Sequence, residues 1–471
     1  MVLKKYAPWF IGGAFILSVI LSVAFMAQGV VRDDHDRNIA ILDDLLMTLQ
    51  VKAAYNEDDI FWRFEWDAPE ASWYHDSLVY RDGEWAREGR SPVGPEEFGL
   101  YEDRLTFFVD DGSVEFFAQY GGFITIVSDM RFMTRDVSTD EAQQHIGRDD
   151  VRKFLPDTRT DPHDWRTLRP EEELEALHET GYFLDLWHWR AHRANPIGFA
   201  DDQYVSWYRL SDEGDSPWLI NWDEEAGQPT HMFDPELTGQ HAMRWERIIE
   251  RGYTQDDHYY LSTETAVPFD PDHQWQEGDV LPRRVLREPT GSRGDIWATG
   301  VWDEGKWKVD LVRALDTGNP RDDKILMPLG KYDVAFAVHA QSTGSRWHYV
   351  SMPFTLGLDR EADIRATRFN GDAPDWDEIE WTEIKLFYPG QISWDHIYSE
   401  AHAGYEDMQR QAAWDTVHDE EKLAIYAVES EFRGEIRRQW MGTTVVWAVI
   451  FLSASWAVIR IGRRQLADKG A

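Results

Sequence analysis

The chain has 471 residues, 42% of them hydrophobic, which is ample for a large core. It has no cysteine, and this excludes disulfides, thiolate metal sites, iron–sulfur clusters and thioether-attached c-type haem. With 86 Asp and Glu against 48 Lys and Arg the formal net charge is −38, a field that repels nucleic acid and anionic lipid headgroups.

In chain order, residues 6–31 carry no charge, and neither do residues 439–459; each run is long enough to cross a bilayer as a helix. Lys4 and Lys5 precede the first, while Arg460, Arg463, Arg464 and Lys469 follow the second. The positive-inside rule therefore puts both tips in the cytoplasm and the body on the other side, against the weaker pull of Arg433, Arg437 and Arg438. Signal cleavage after Ala27 would set Phe25 where a small residue is required, which favours an uncleaved anchor. Residues 32–438 hold 42 of the basic and 85 of the acidic residues, a net charge of −43. Such a surface suits a salt-adapted or otherwise acid-rich exported protein, or a docking face for a basic redox partner.

Helical spacing marks residues 38–49, continuing from the membrane. Residues 50–55 and 60–66 read as a strand pair around Asn56-Glu57-Asp58, and residues 69–95 as an irregular, aromatic-rich loop. Strands return over residues 100–134 (DRLTFFVDD, then VEFFAQYGGFITIV). Residues 136–164 are loop with a short helix, 169–180 helix and 183–189 strand. A turn-rich stretch (211–228), a short helix within 235–252 and an irregular crossing segment (270–293) follow. Residues 294–358 then alternate apolar and polar positions between Gly, Asp and Asn turns: Ile296, Ala298 and Gly300 oppose Trp297, Thr299 and Val301, followed by Trp307-Val309-Leu311 and Val334-Phe336-Val338. This pattern predicts a mainly β chain, a β-sandwich with helical insertions. Residues 359–381 read as loop, 384–388 as a last strand and 391–438 as a helical stalk. The expected domains are an anchor (1–31), a juxtamembrane helix (32–49), a sandwich (50–390), the stalk, and a second span with a basic tail (439–471).

Chemistry is sparse. His188 and His192 are four apart in WHWRAHR, a metal pair on a helix, but the alternation Leu184, Leu186, His188 argues for a strand. No nucleophile elbow and no phosphate-cradling glycine loop is present, and Asp270, Asp272, Glu277 and Asp279 lack the spacing of a calcium loop. Nothing activates a nucleophile, a water or a hydride carrier, so the chain is expected not to be an enzyme. Non-covalent haem remains. It needs two axial donors in an apolar slot with Arg for the propionates, and the donors on offer are His188, Met232, His339, His348 and Met352.

At these residues the sequence resembles a known family. LDLWHWRAHRANPIGFADDQYV, QPTHMFDP, GSRGDIWATGVWDEGKWKVDLVRALDTG and FAVH…WHYVS are similar to the ethylbenzene dehydrogenase-related haem-binding domain. This is the domain of the haem-b subunit of dimethyl sulfoxide reductase-type enzymes and of related membrane-bound cytochromes. The resemblance covers residues 50–388. It implies a lectin-like or immunoglobulin-like sandwich that binds haem b on the outer side of a bacterial inner membrane. It also implies an electron-transfer role beside cytochrome or other redox-complex subunits. By the run H-Y-V-S it places His348 as one axial ligand, with Met232 or His188 as the partner, and Arg346 and Arg190 as propionate contacts. The CxxCH sites of cytochrome relatives are erased: Ile124, Val127 and Ser128 stand at one, and Trp414, Val417 and His418 at the other. Two other functions are open from the residues, a haem-free subunit that scaffolds a cytochrome partner and a ligand- or carbohydrate-binding sandwich.

Overall fold

The computed structural model describes residues 46–89, 100–125, 137–340 (except 150, 152 and 163), 348–387 and most of 440–463. The chain divides into two compact units, residues 44–418 and a second made of residues 1–43 with 419–471.

In the first unit thirteen strands join in one sheet: β1 Leu46–Tyr55, β2 Asp59–Asp67, β3 Arg104–Asp110, β4 Leu184–Arg190, β5 Asp201–Val205, β6 Arg209–Ser211, β7 Trp297–Asp303, β8 Lys306–Ala314, β9 Lys331–His339, β10 Tyr349–Ser351, β11 Phe354–Leu358, β12 Ile364–Arg368 and β13 Thr382–Phe387. The spatial order is β7-β8-β2-β1-β12-β11-β9-β3-β4-β5-β6. A second route joins the halves, because β13 pairs with both β1 and β10, and β10 with β9. Pairing is antiparallel except where β12 runs parallel to β1 and β11.

The two halves fold over one another. Trp62 and Phe64 of β2 meet Phe107 of β3 at ring-centre distances of 5.2 and 5.5 Å. Trp66 of β2 and Trp307 of β8 meet Trp189 of β4 at 5.9 and 5.0 Å. The heavy Trp content thus fills the space between two layers, as inward positions of facing sheets do. The close approach of β7 needs Gly300, since a Cβ there would lie 2.4 Å from Trp189 Cζ2. That indole is held by its Nε1, which donates to Asn195 Oδ1 at 3.0 Å. In β8 the alternation is that of a one-sided strand, with Trp307, Val309, Leu311 and Arg313 buried and Lys306 and Lys308 exposed. In β4 all seven residues are buried, so both of its faces are covered.

The mainly β reading with large antiparallel sheets holds, as do the strand pair at residues 50–66, the helices at Thr139–Ile146, Glu171–Glu179 and Trp245–Ile249, and the strands of residues 294–358. Several local expectations do not. Residues 46–49, expected helical, are strand: Leu49 is fully buried and pairs with Trp66 and Ile384, so tertiary burial overrides helical spacing. The expected strand in VEFFAQYGGFITIV is a short helix, Phe117–Tyr120, followed by a 3₁₀ turn, Gly121–Thr125. Phe116 and Gly121 take positive φ there, which breaks any ladder, and Phe117, Tyr120 and Ile124 bury in a second, smaller core. The supposed loop at 69–95 holds the hairpin Ser77–Arg81 and Glu84–Glu88, whose turn is Asp82-Gly83 with both residues at positive φ. The crossing segment supplies Asp279–Pro282 and Arg284–Leu286, which pair with Ser77–Arg81 and Trp218–Ile220.

The stalk and the first hydrophobic run lie outside the described residues. In the second unit, residues 440–445, 447–448, 451–452, 454–461 and 463 are helical, with Val445, Trp447, Leu452 and Trp456 exposed. Among the described residues no helix is long and apolar enough to cross a membrane.

Phe107 touches Trp62, Phe64, Trp187 and Phe336. Phe107→Ala is expected to lower unfolding free energy by about 3–5 kcal/mol in urea titrations. A loss below about 1 kcal/mol would mean that the two inner faces do not interdigitate as described.

Candidate functional site

The side of β3, β4, β5, β9 and β10 that faces away from the aromatic core carries a cavity of about 500 Å³. Register explains its lining. Arg104, Thr106 and Phe108 of β3 stand opposite Arg190, His188 and Leu186 of β4, and opposite His339, Ala337 and Ala335 of β9. Period two sends these residues to one face and Phe107, Trp187, Trp189 and Phe336 to the other. The middle of the floor is built from small side chains, Thr106, Ala335, Ala337 and Val350, with Gly122 above Phe108. These small residues create the hollow.

The wall is basic. Arg87, Arg104, Lys153, Arg190, Arg193, Arg209 and Arg293 line it against one acid, Asp76. Carboxylates behind the wall hold these cations in place. Asp201 of β5 binds Arg190 and accepts from Arg293 Nε at 2.7 Å. Glu102 accepts from Arg193 Nε at 2.5 Å and from the backbone N–H groups of His192 and Arg193 at 2.8 Å. Burial pushes the Glu102 carboxyl up, but Arg193 and Arg104 outweigh it and hold the pKa down at about 2. The Trp218 ring lies 4.8, 5.0 and 5.7 Å from the guanidinium carbons of Arg190, Arg193 and Arg293. Cations still outnumber carboxylates, so within a strongly acidic chain this hollow attracts anions.

Four histidines line the same space: His75, His188, His339 and His348. The rings of His339 and His348 stack at 4.3 Å and 14°. His188 Nδ1 lies 3.0 Å from Arg190 Nη2, 2.6 Å from Arg209 Nη2 and 3.3 Å from Gln203 Oε1. Arginine only donates, so Nδ1 accepts and the ring proton sits on Nε2, which has no hydrogen-bond partner among the described residues. Burial first, then Arg190 and Arg209, keeps His188 neutral and well below its usual titration range. Burial, Arg193 and Arg104 do the same to His75.

Of the residues singled out by sequence, the fold brings His188, Arg190, His339 and His348 together here. Met232 is elsewhere. It sits buried in the main core, on the short strand His231–Phe233 paired with Ala266–Pro268, and does not line the cavity. Met352 packs against the second core, and Arg346 lies outside the described residues. His192 is strapped elsewhere too, its Nδ1 2.6 Å from Trp73 O. Sequence reading missed Arg104, Arg209, Arg293 and Gln203. For Arg104 a signal existed: it is a polar residue two positions before Thr106 in a run, RLTFFVD, otherwise apolar enough to be buried.

The donor set fits a haem in kind, with imidazoles over an apolar floor and guanidiniums for carboxylates. As arranged it is not preset for two axial bonds. Stacked rings cannot approach one iron from opposite sides. To ligate through Nε2, His188 must carry its proton on Nδ1, donate it to Gln203 and release both arginines.

Against known proteins, the model of the ethylbenzene dehydrogenase family matches residues 35–351, which includes every strand of the cavity floor. A cytochrome c-552 from Stutzerimonas stutzeri is 31% identical over 103 residues, 20% of this chain. The matched stretch spans about a third of that relative, 34% of its length.

The buried neutral histidines give a pH dependence whose sign is fixed. His192 titrates at about 4 in the fold, mainly through burial, against 6.5 when exposed. Below pH 6.5 the unfolded chain therefore binds a proton that the folded chain refuses. This share of stability is complete above pH 6.5 and lost as pH falls towards 4, at up to about 1.4 kcal/mol per pH unit. Denaturant titrations from pH 7 to 4.5 should show His192→Gln with a shallower dependence than wild type. Parallel curves would remove His192 as a contributor.

Proposed function

This chain belongs to the ethylbenzene dehydrogenase family, and from that membership we propose that it is a haem-b-binding electron-transfer or accessory subunit of a respiratory redox complex. The observation that carries this reading is the single hollow in which a floor of small side chains, three buried imidazoles (His188, His339 and His348) and a wall of arginines converge. Bound haem supplies one-electron chemistry at its iron. In this chain, His348 and His188 are the proposed iron ligands and His339 the reserve. Arg190, Arg193 and Arg293, braced by Asp201, Glu102 and Trp218, would take the propionates. The small residues at 106, 335, 337 and 350 would receive the macrocycle. Without cysteine no thioether can form, so the haem is proposed to be of the b type and no c-type haem joins it.

We further propose that the two uncharged runs anchor the chain in a bacterial inner membrane with the body on the periplasmic side. In this reading the chain catalyses nothing by itself and works beside a cytochrome or another redox subunit. Its acidic surface would guide a basic partner, at rates that fall with ionic strength.

One observation favours the second reading, a haem-free scaffold that keeps the fold. His188 Nδ1 is already taken by Arg190 and Arg209, and His339 is stacked on His348. A carbohydrate is disfavoured, because a wall of guanidiniums selects charge over neutral hydroxyls.

The deciding measurement is an oxidised-minus-reduced visible spectrum of the detergent-purified chain produced with haem available, with extractable haem quantified. One haem b per chain and a sharp α-band are expected. His348→Ala should weaken or shift the α-band. Ala337→Trp, which fills the floor, should abolish binding while far-ultraviolet circular dichroism stays native. A featureless spectrum from folded protein would leave the scaffold reading standing. Unchanged spectra in both variants would move the haem away from this hollow.

A further inference from the structure

On the opposite face of the same strands lies a second charged cluster with a different balance. Arg313 of β8 reaches across the sandwich to Asp185 of β4 at 2.6 Å, Asp202 of β5 at 2.9 Å and Asp323 at 2.7 Å. All four side chains are buried, and the Trp187 ring lies 4.4 Å from the Arg313 guanidinium carbon. This trio of carboxylates has its cation. Adjoining it is another trio, Asp212, Asp322 and Asp323, each offering a carboxylate oxygen within 4.8 Å of the others, and all three residues are buried. Arg313 serves this second trio only through Asp323. Asp212 is 3% exposed, and neither of its oxygens has a hydrogen-bond partner among the described residues. Asp322 accepts the Glu213 N–H at 3.3 Å through Oδ2. Asp323 Oδ2 is taken by Thr317 Oγ1 at 2.6 Å and Ser292 Oγ at 3.3 Å.

We propose that Asp212, Asp322 and Asp323 form a binding site for a divalent cation of the calcium type. An unpaired carboxylate is not left buried at low cost, and the open oxygens of Asp212 converge on those of two neighbours. All donors are oxygen, with no imidazole or thioether in the trio and no cysteine in the chain, which selects a hard cation over zinc or copper. Coordination selects further. The three oxygens lie within 4.8 Å of one another, inside the about 5 Å that one calcium ion, bonding oxygen at about 2.3–2.6 Å in flexible geometry, can bridge, whereas magnesium demands near-ideal octahedral geometry and keeps several waters rather than an all-protein cage. The ion would clip two segments distant in sequence, the turn that leaves β6 at Asp212 and the loop that follows β8 at Asp322 and Asp323. It would thereby fasten the two layers of the sandwich beside Arg313. The cavity of the haem reading is not part of this site, and neither proposal depends on the other.

The test uses the full chain in detergent, in concentrated KCl so that exposed carboxylates are screened. Terbium serves as the probe, because Trp187 stands against Arg313 next to the site and can sensitise its emission. One equivalent of terbium is expected, displaced by calcium but not by magnesium, and calcium should raise the thermal midpoint of the wild type. Asp212→Asn should lose the sensitised emission and the calcium-dependent rise together. Should that variant fail to fold, Asp322→Asn and the calcium dependence of the wild type carry the same reading. The proposal is overturned if wild type shows no saturable terbium emission and no calcium-dependent midpoint. It is equally overturned if Asp212→Asn folds and keeps both.

Discussion

The constraint on which the rest depends is that β4 is covered on both faces while carrying Asp185, His188 and Arg190 in seven residues. A strand so placed is ordinarily a run of Val, Ile and Leu. Here Asp185, His188 and Arg190 have to find partners inside the protein. Asp185 receives Arg313 from the opposite layer, Arg190 receives Asp201 from the next strand, and His188 accepts from Arg190 and Arg209. Removing one member of such a set strands a charge in low dielectric, which costs several kcal/mol. The neighbours of β4 are thereby fixed in identity as well as in position.

The same double burial sorts the protein's charge. On one side of the strands cations exceed carboxylates, giving a pocket for an anion; on the other, carboxylates exceed cations around Arg313. Burial and the guanidiniums together hold His188 and His75 neutral, so the pocket's positive character comes from its arginines and Lys153 and not from these two imidazoles. A chain with an overall charge of −38 thus keeps a basic interior site, because the field a ligand meets in a cleft is set by the groups that line it and not by the total.

Sequence made the sheet legible where one face is solvated. Trp307, Val309 and Leu311 against Lys306 and Lys308 give a clean period of two, and the strand pair around Asn56 is announced by its turn. It failed where cross-strand burial overrides local spacing or where unusual backbone breaks the chain. VEFFAQYGGFITIV has strand composition, yet Phe116 and Gly121 at positive φ turn it into helix and 3₁₀ turn. Leu49 has helical spacing, yet its cross-strand partners decide its state. For the site, WHWR pointed to the right strand, because His188 and Arg190 share a face, and His339 and His348 were visible as histidines on or beside neighbouring strands. Met232 was misleading: a Met beside a His in a loop-like segment reads as a donor, while in the fold it is core packing. The arginines of the wall come from the hairpin of residues 77–88 and from strands and turns far apart in sequence. Only tertiary register brings these together.

Register also ties the two faces to each other. Asp201 points to the basic pocket and Asp202 to the Arg313 cluster, and successive residues of β5 cannot move independently. A one-residue slip of β4 would put Trp187 and Trp189 into the arginine-lined hollow and His188 among the stacked aromatics, losing both sets of partners at once. A slip of β5 alone would be less forbidden in charge, since an Asp would still face each way, but it would send Gln203 away from His188 and Arg209. The pairing His188↔Asp201 and Trp187↔Asp202 is therefore held chiefly by β4, whose alternating indoles and polar side chains admit one register. That makes the WHW run the element that places both charged sites, and it explains why those sites lie back to back across a single layer of strands.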